Sequence, residues 1–287
     1  MFHNYKLRPM LLWEKSKIFQ DSNYLYEIKF DGFRAFIYVS RKKFVILSRN
    51  GNDVTKKYPE LSEMQKIVGE HEVIFDGEII TTLNGLPNFS LLQKRSRSKK
   101  ITDKIMEDIP VSFIAFDILY DNKDLTKNSL AKRKEYLNHY EDTLYFIKSK
   151  VYFDGKALFK LIKKVGLEGV VAKFKKSQYF CGERTKEWVK IKNIKVDQFL
   201  VHGYQEKTNT FTLFLGEYRN QQFYFVGKVS VHKKHELIDQ LKRLKKTENM
   251  FINLDEKAFY VFPKIEVRVH YLEKSKAGIL RHAVLEY

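Results

Sequence analysis

The sequence predicts a two-domain α+β protein. Residues 1–193 read as a domain of antiparallel sheets with a few helices, and residues 194–287 as a small β-barrel. Three observations carry this expectation. A chain of 287 residues suits about two domains at roughly 150 residues each. Up to Lys192, short apolar runs alternate with helical patterns. After Asn193 strand-like runs take over, with one helix among them. The 44% of hydrophobic residues can supply a sizeable core.

The elements follow in order. Tyr26, Ile28 and Phe30 alternate with Glu27 and Lys29, the period of a half-buried strand. Ala35–Val39 and Phe44–Leu47 flank Arg41-Lys42-Lys43 and read as a hairpin. Val73–Ile80 and Val111–Leu119 are further strands, and Phe89–Arg95 is a short helix. Asp154 should cap a helix running to Val165, with Leu158, Leu161, Ile162 and Val165 on one face and Gly166 as its stop. Val170–Phe174 and Trp188–Ile191 are strands again. Beyond them come Phe199–Tyr204, Phe211–Tyr218, Phe223–Val231 and Phe259–Tyr271, with a lysine-rich helix at His235–Lys245. Several short strands plus one helix suit a small barrel such as an OB-fold.

Composition excludes several classes. No apolar run approaches the roughly 20 residues of a membrane span. Met1–Met10 holds no apolar stretch ahead of a small-residue cleavage site, so a cytoplasmic chain is expected. The single cysteine, Cys181, rules out an internal disulfide and is expected as a small buried residue or a spectator. His232 and His235 lie close together without a third ligand in view, so no zinc site is expected. Lys and Arg total 53 against 35 acidic residues, a formal charge of +18. An excess of that size favours a polyanionic partner, most often nucleic acid. The basic tract Lys94–Lys100 reads equally as a solvated face or a phosphate contact.

The most informative stretch is Glu27-Ile28-Lys29-Phe30-Asp31-Gly32-Phe33-Arg34. A charged side chain inside an apolar strand costs free energy unless it has partners, so Lys29 should face a cleft. An ammonium cannot attack an electrophile. A lysine nucleophile must first lose its proton, and nearby cations or a metal favour that loss. Lys190 and Lys192 offer such cations.

Lys-x-Asp-Gly-x-Arg is the first motif of the covalent nucleotidyltransferases, and the chain resembles an ATP-dependent DNA ligase. Further stretches match in the family's order: Ser48-Arg49-Asn50-Gly51, Phe75-Asp76-Gly77-Glu78, Ala115-Phe116-Asp117-Ile118-Leu119, Glu168-Gly169-Val170-Val171-Ala172-Lys173 and Trp188-Val189-Lys190-Ile191-Lys192. Each is weak alone, but six in order over about 165 residues make chance improbable. Leu7–Leu12, Phe89–Arg95 and Leu280-Arg281-His282 are similar to the ligase modules of bacterial Ku-dependent end-joining systems. The resemblance implies a nucleotidyltransferase (adenylation) domain followed by an OB-fold, as a stand-alone monomeric core. It also implies nicked duplex DNA as partner, a Ku-like end-binding protein as a further one, and a nucleoid-associated location.

The resemblance also implies roles. Lys29 would attack the α-phosphorus of ATP to give a lysyl-AMP. Glu27 would lie beside the adenine and Phe116 would stack on it. Arg34 would contact ribose and phosphates, and Glu78 a ribose hydroxyl. Lys190 and Lys192 would grip the α-phosphate, and Arg184 would lie near the nucleotide. Glu168 and Glu78 would hold Mg²⁺ or Mn²⁺, since hard oxygen ligands suit such ions. Arg49 would bind the 5′-phosphate at a nick. One departure stands out: the family's C-terminal basic motif does not align with Leu280–Tyr287, so self-adenylation is expected to be slow or aided by another basic residue, with sealing intact.

Two alternatives compete with nick sealing. An RNA ligase or capping guanylyltransferase shares the lysine motif, and substrate choice separates them. A catalytically inactive DNA-binding module would fail to form any covalent nucleotide adduct.

Overall fold

The computed structural model describes residues 1–286. The chain divides into two units, Met1–Asn193 and a second from Ile194 onward. The first unit holds strands β1 (Leu11–Lys15), β2 (Tyr24–Lys29), β3 (Phe33–Ser40), β4 (Lys43–Ser48), β5 (Val73–Ile80), β6 (Thr82–Leu83), β7 (Leu86–Pro87), β8 (Ser112–Asp121), β9 (Phe146–Lys148), β10 (Gly169–Phe174) and β11 (Arg184–Lys192). Its helices are α1 (Gln65–Val68), α2 (Phe89–Arg97), α3 (Asp103–Asp108), α4 (Leu130–Asn138) and α5 (Gly155–Val165).

Two large sheets form the body of this unit, and β6 and β7 pair as a small hairpin beside them. One has the order β1-β11-β10-β2, the other β4-β3-β5-β8-β9. Strand parity shows how they are layered, because successive side chains point to opposite faces. On β2, Tyr26 and Ile28 pack with Leu158, Phe159 and Ile162 of α5, while Leu25 points to the opposite face. On β5, Val73, Phe75 and Ile79 join a core with Leu61, Met64 and Leu92, while Ile74 points the other way. Leu25, Phe36, Tyr38, Ile74, Leu119 and Trp188 meet in a third cluster between the two sheets.

That inner layer changes character along each strand. Leu25 is followed at the same parity by Glu27 and Lys29, and Ile74 by Asp76 and Glu78. Tyr38 and Phe36 lead back to Arg34, and Trp188 leads on to Lys190 and Lys192. Apolar packing at one end of the layer thus gives way to charge at the other. Gly32 and Gly77 permit the tight fit there. A Cβ on Gly32 would lie 2.3 Å from the Ile79 carbonyl oxygen, and one on Gly77 would lie 2.4 Å from the Phe113 ring.

Asp154 caps α5 by accepting from the Ala157 amide, and Gly166 ends it in the left-handed region at φ +76°. The buried face is a correction, however. Leu158, Phe159 and Ile162 are buried, whereas Leu161 and Val165 are exposed on the margin. The helix presents the Phe159 side to its sheet, and periodicity alone does not choose between two adjoining apolar arcs. Helices α3 and α4 were not anticipated, although Ser129 accepts from the Lys132 amide as an N-cap. The tract Lys94–Lys100 splits. Lys94, Arg97, Lys99 and Lys100 are exposed, but Arg95 is buried, paired with Glu60 at 2.6 Å and donating to the Ile109 carbonyl at 2.7 Å. Cys181 is exposed rather than buried.

The second unit holds β12 (Lys195–Glu206), β13 (Thr210–Arg219), β14 (Gln222–His232), α6 (Glu236–Arg243), β15 (Phe259–Tyr271), β16 (Glu273–Lys274), β17 (Leu280–Arg281) and β18 (Val284–Leu285). Its main sheet runs β14-β13-β12-β15-β18, and β14 also packs against β17 and β18, so the sheet curls. Leu237, Ile238 and Leu241 of α6 join Val201, Leu213, Val226 and Val269 in its core.

Candidate active site

The charged end of the inner layer holds several of the residues that the sequence singled out, among them Lys29, Arg34, Glu78, Lys190 and Lys192. Lys29, the last residue of β2, lies opposite Gly169 of β10. Its Nζ donates to Glu168 Oε2 at 2.8 Å, so the two ends of that strand pair bring nucleophile and carboxylate together. Burial raises the Glu168 carboxyl above its ordinary value, and the Lys29 ammonium opposes that rise. Glu78 is pushed up to about 8, mainly by burial, with Lys29 and Arg34 opposing and Glu168 and Asp76 reinforcing the shift.

Arg34 has partners that the sequence did not reveal. Its guanidinium binds Asp76 through two bonds, Nε to Oδ1 at 3.0 Å and Nη2 to Oδ2 at 2.7 Å. Nη1 donates to the Met10 carbonyl at 2.7 Å. Tyr179 donates its hydroxyl to Asp76 Oδ2 at 2.6 Å and accepts from the Met10 amide at 3.1 Å. Two parallel bonds between an arginine and a fully buried carboxylate fix both groups in plane. Arg34 is thereby an anchor as well as a candidate ligand for phosphate.

Glu27 is also buried, and two lysines flank it. Lys134 of α4 sits 2.6 Å from Oε1 and Lys173 of β10 sits 2.9 Å from Oε2. Burial works against its charge, but the two ammonium groups outweigh burial and hold the carboxyl below its ordinary value. Lys173 is pushed down to about 8, chiefly by burial. Its Nζ lies 4.2 Å from the Phe116 ring centroid and 4.4 Å from that of Trp188, where the ring faces attract a cation. Arg34 lies 5.2 Å from the centroid of the same Phe116 ring.

Lys190 and Lys192 of β11 point into the same layer, and both pair with Glu14 of β1, at 2.9 and 3.0 Å. Arg184 and Arg49 are placed differently. Arg184 is exposed and donates to the Leu12 carbonyl at the far end of β11. Arg49 has an exposed side chain just beyond β4, while its amide donates to the Arg34 carbonyl at 3.1 Å. The structure thus gathers Lys29, Arg34, Glu78 and Glu168 in one charge network, sets Glu27 and Phe116 around Lys173, and leaves Arg184 and Arg49 at the surface.

Sequence reasoning gave no role to Asp76, Lys134, Lys173, Tyr179 or Glu14. Asp76 and Lys173 stood inside quoted motifs, and their parity with Glu78 and Val171 was a usable signal. Lys134 required recognition of α4, whose signal was Ser129 followed by Leu130, Arg133, Lys134 and Leu137 at helical spacing. No single-sequence signal ties Tyr179 to Asp76.

The donor set fits a hard divalent cation in part. Glu78 and Glu168 offer carboxylate oxygens beside the candidate nucleophile, while no group of three or more His, Cys, Asp or Glu side chains among the described residues could hold a metal alone. Phosphate oxygens of a nucleotide would have to complete the coordination.

A lysine held among acids, with paired lysines nearby and an aromatic ring beside a buried ammonium, is an arrangement that suits nucleotidyl transfer. Comparison with known proteins agrees. Residues 9–192 match the model of the ATP dependent DNA ligase domain. The chain is 32% identical over 209 residues to the SPbeta prophage-derived DNA ligase-like protein LigB of Bacillus subtilis, covering 71% of this chain and 74% of that one. It is 28% identical to the multifunctional non-homologous end joining protein LigD of Mycolicibacterium smegmatis, covering 95% of this chain but only 37% of LigD. A solved structure of mycobacterial DNA ligase D complexed with ATP and MES superposes with a TM-score of 0.62 at 26% identity, over 99% of this chain and 96% of that one. The chain belongs to the ATP-dependent DNA ligase family.

Proposed function

We propose that the chain seals nicks in duplex DNA, joining a 5′-phosphate to a 3′-hydroxyl at the expense of ATP. The observation that carries this reading is Lys29 Nζ held 2.8 Å from Glu168 at the charged end of the inter-sheet layer. In the first step Nζ bonds to the α-phosphorus of ATP and pyrophosphate leaves. The proton lost from Nζ has Glu168 Oε2 within hydrogen-bond distance to receive it. AMP then passes to the DNA 5′-phosphate, and the 3′-hydroxyl attacks that phosphate and expels AMP.

The other residues take roles from their surroundings. Phe116, the aromatic ring beside Lys173 and Arg34, would stack on adenine. Glu27 is kept ionised by Lys134 and Lys173 and can accept only, which suits the exocyclic amine of adenine and opposes the carbonyl of guanine. Lys190 and Lys192 neutralise phosphate oxygens, and Arg34 adds to that charge from its fixed position beside Asp76. Arg184 would lie near the nucleotide and Arg49 would take the 5′-phosphate; their exposure suits contact with a large polyanion. Glu78 and Glu168 would hold Mg²⁺ or Mn²⁺, which supplies charge neutralisation at the transferring phosphate.

The boundary at Asn193 and Ile194 separates an adenylation domain from a unit that we read as an OB-fold. The curled sheet with α6 at its core supports that reading. The exposed lysines that flank α6, Lys233, Lys234, Lys245 and Lys246, suit sequence-independent phosphate contact and a steep dependence on salt. The LigD likeness supports repair or end joining as pathway; a Ku-like partner, a monomeric state and a nucleoid-associated cytoplasmic location are further parts of the proposal.

The test is label transfer. The protein is incubated with α-labelled ATP or GTP and Mg²⁺, then run on a denaturing gel beside Lys29→Ala. Label from ATP on the wild type alone is expected, and nicked 5′-phosphate DNA should discharge it. Preference for GTP would move the reading to capping. No adduct, even after pyrophosphate treatment to strip bound AMP, would leave a DNA-binding module as the better account.

A further inference from the structure

Glu14 has no place in the chemistry above, yet the fold takes trouble to position it. Strand β1 pairs with β11 in parallel, and the register jumps between Leu12, which faces Thr185, and Trp13, which faces Val189. Without that jump Glu14 would lie beside Glu187. With it Glu14 lies beside Lys190, and Lys192 follows two residues on at the same parity. One carboxylate thereby reaches two ammonium groups, Oε2 to Lys190 at 2.9 Å and Oε1 to Lys192 at 3.0 Å. All three side chains keep contact with solvent, about a fifth to under half exposed, so the triad can open without unpacking the core.

An acid with one oxygen on each of two cations has the acceptor geometry of a phosphate group on the same pair. We propose that Glu14 is a built-in anion that competes with the triphosphate for Lys190 and Lys192, so that it sets how tightly the protein takes ATP. The inference rests on the nucleotidyl-transfer reading for the role of the lysines. Displacing Glu14 costs part of the energy of binding phosphate, and that cost is realised before any bond changes. It therefore weakens nucleotide affinity more than it slows the transfer step. A partly exposed pair of this kind is worth little per contact, so the expected effect is a few-fold rather than a thousand-fold.

The experiment compares wild type with Glu14→Gln and Glu14→Ala. Single-turnover formation of the lysyl-AMP adduct is followed against ATP concentration. Both variants should lower the apparent KM for ATP by about fivefold, with the change in KM exceeding any change in maximal rate. A rise in KM, or a loss confined to the maximal rate, would show instead that Glu14 orients the lysines, and equal KM values would make it a bystander. Either result overturns the proposal. A second measurement does not depend on catalysis: tripolyphosphate without metal is titrated while Tm is recorded. It should half-saturate at a lower concentration with Glu14→Gln than with wild type, and equal midpoints would overturn the proposal. If the wild type forms no adduct at all, the ligase reading fails, while the tripolyphosphate comparison still decides whether Glu14 competes for the two lysines.

Discussion

The two units solve the problem of a core in different ways. The first buries ions: Glu27, Asp76, Arg95, Asp117, Arg133 and Lys173 are all nearly inaccessible. The second buries rings and aliphatic side chains, with His202 and Thr212 as the buried polar residues among those described. There Phe223 and Phe251 stack at 5.1 Å, and both lie against His202. A buried ion pair adds little net stability compared with a hydrophobic one, because desolvation offsets the Coulomb gain. The first unit accepts that cost because a carboxylate locked by an arginine holds its neighbours on the strand in register. What the contrast teaches is that buried charge marks the unit where charge must be aimed, while apolar packing marks the unit that needs only a shape.

The largest expected effect breaks the ionic side of the comparison. Arg133 binds Asp117 through bonds of 2.9 and 2.8 Å, both groups fully buried. Asp117→Ala should cost about 3–5 kcal/mol by leaving a buried cation unpaired. Asp117→Leu with Arg133→Met should recover much of that. Urea unfolding followed by tryptophan fluorescence reads this directly, because Trp13 and Trp188, the two tryptophans of the chain, both belong to the first unit. A double variant as unstable as the single would mean that the pair contributes more than its charge balance.

Removing apolar volume from the second unit comes next. Leu241→Ala on α6, in the core of the second unit, should cost about 2–5 kcal/mol through lost burial and an unfilled cavity. Far-UV circular dichroism should show the loss while the tryptophan transition stays in place. A shift of both transitions together would show that the units unfold as one.

Two pH effects are smaller and sharpen the contrast. Glu78 has its value raised to about 8 by burial. Its neutral form is therefore the one the fold favours, and the stability it contributes is full below its unfolded value near 4.5 and lost as pH rises through about 8. Glu78→Gln should accordingly be more stable than wild type at pH 9 and indistinguishable near pH 4, as thermal melts at the two pH values would show. The same variant should weaken the pH dependence of Mg²⁺ binding between pH 7 and 9, because wild type must release a proton there.

In the second unit His202 is neutral by construction. Its Nδ1 donates to the Val261 carbonyl at 2.8 Å, and its Nε2 accepts from the Met250 amide at 2.9 Å. Burial lowers its value, so its contribution is full above the unfolded value of about 6.5 and lost as pH falls below it. Melts between pH 7 and 5 should show the second unit weakening, and His202→Gln should flatten that slope. An unchanged slope would place the acid sensitivity elsewhere.

Much of this was legible from sequence because it is local or periodic. The alternation around Lys29, the Asp154 cap with the Gly166 stop, and the run Val73–Ile80 each depend on neighbours a few residues away. The family likeness came from motif order and so placed Lys29, Glu78 and Glu168 near one another before any coordinates. On the strand around Lys29, the alternation also set Glu27 and Lys29 on the face opposite Tyr26 and Ile28. The shared face of α5 misled because two apolar arcs adjoin and only the packed sheet selects between them.

What tertiary structure alone decided is the pairing of charges. Lys29 meets Glu168 across 139 positions of chain, Lys173 meets Glu27 across 146, and Tyr179 meets Asp76 across 103. Side-chain identity fixes the sign of a charge and strand period fixes its face, but the partner depends on register between strands. At Glu14 a register jump in one strand pair exchanges an acid for two lysines as neighbours. Coulomb energy depends on distances of a few ångströms, and those distances exist only once the chain has folded.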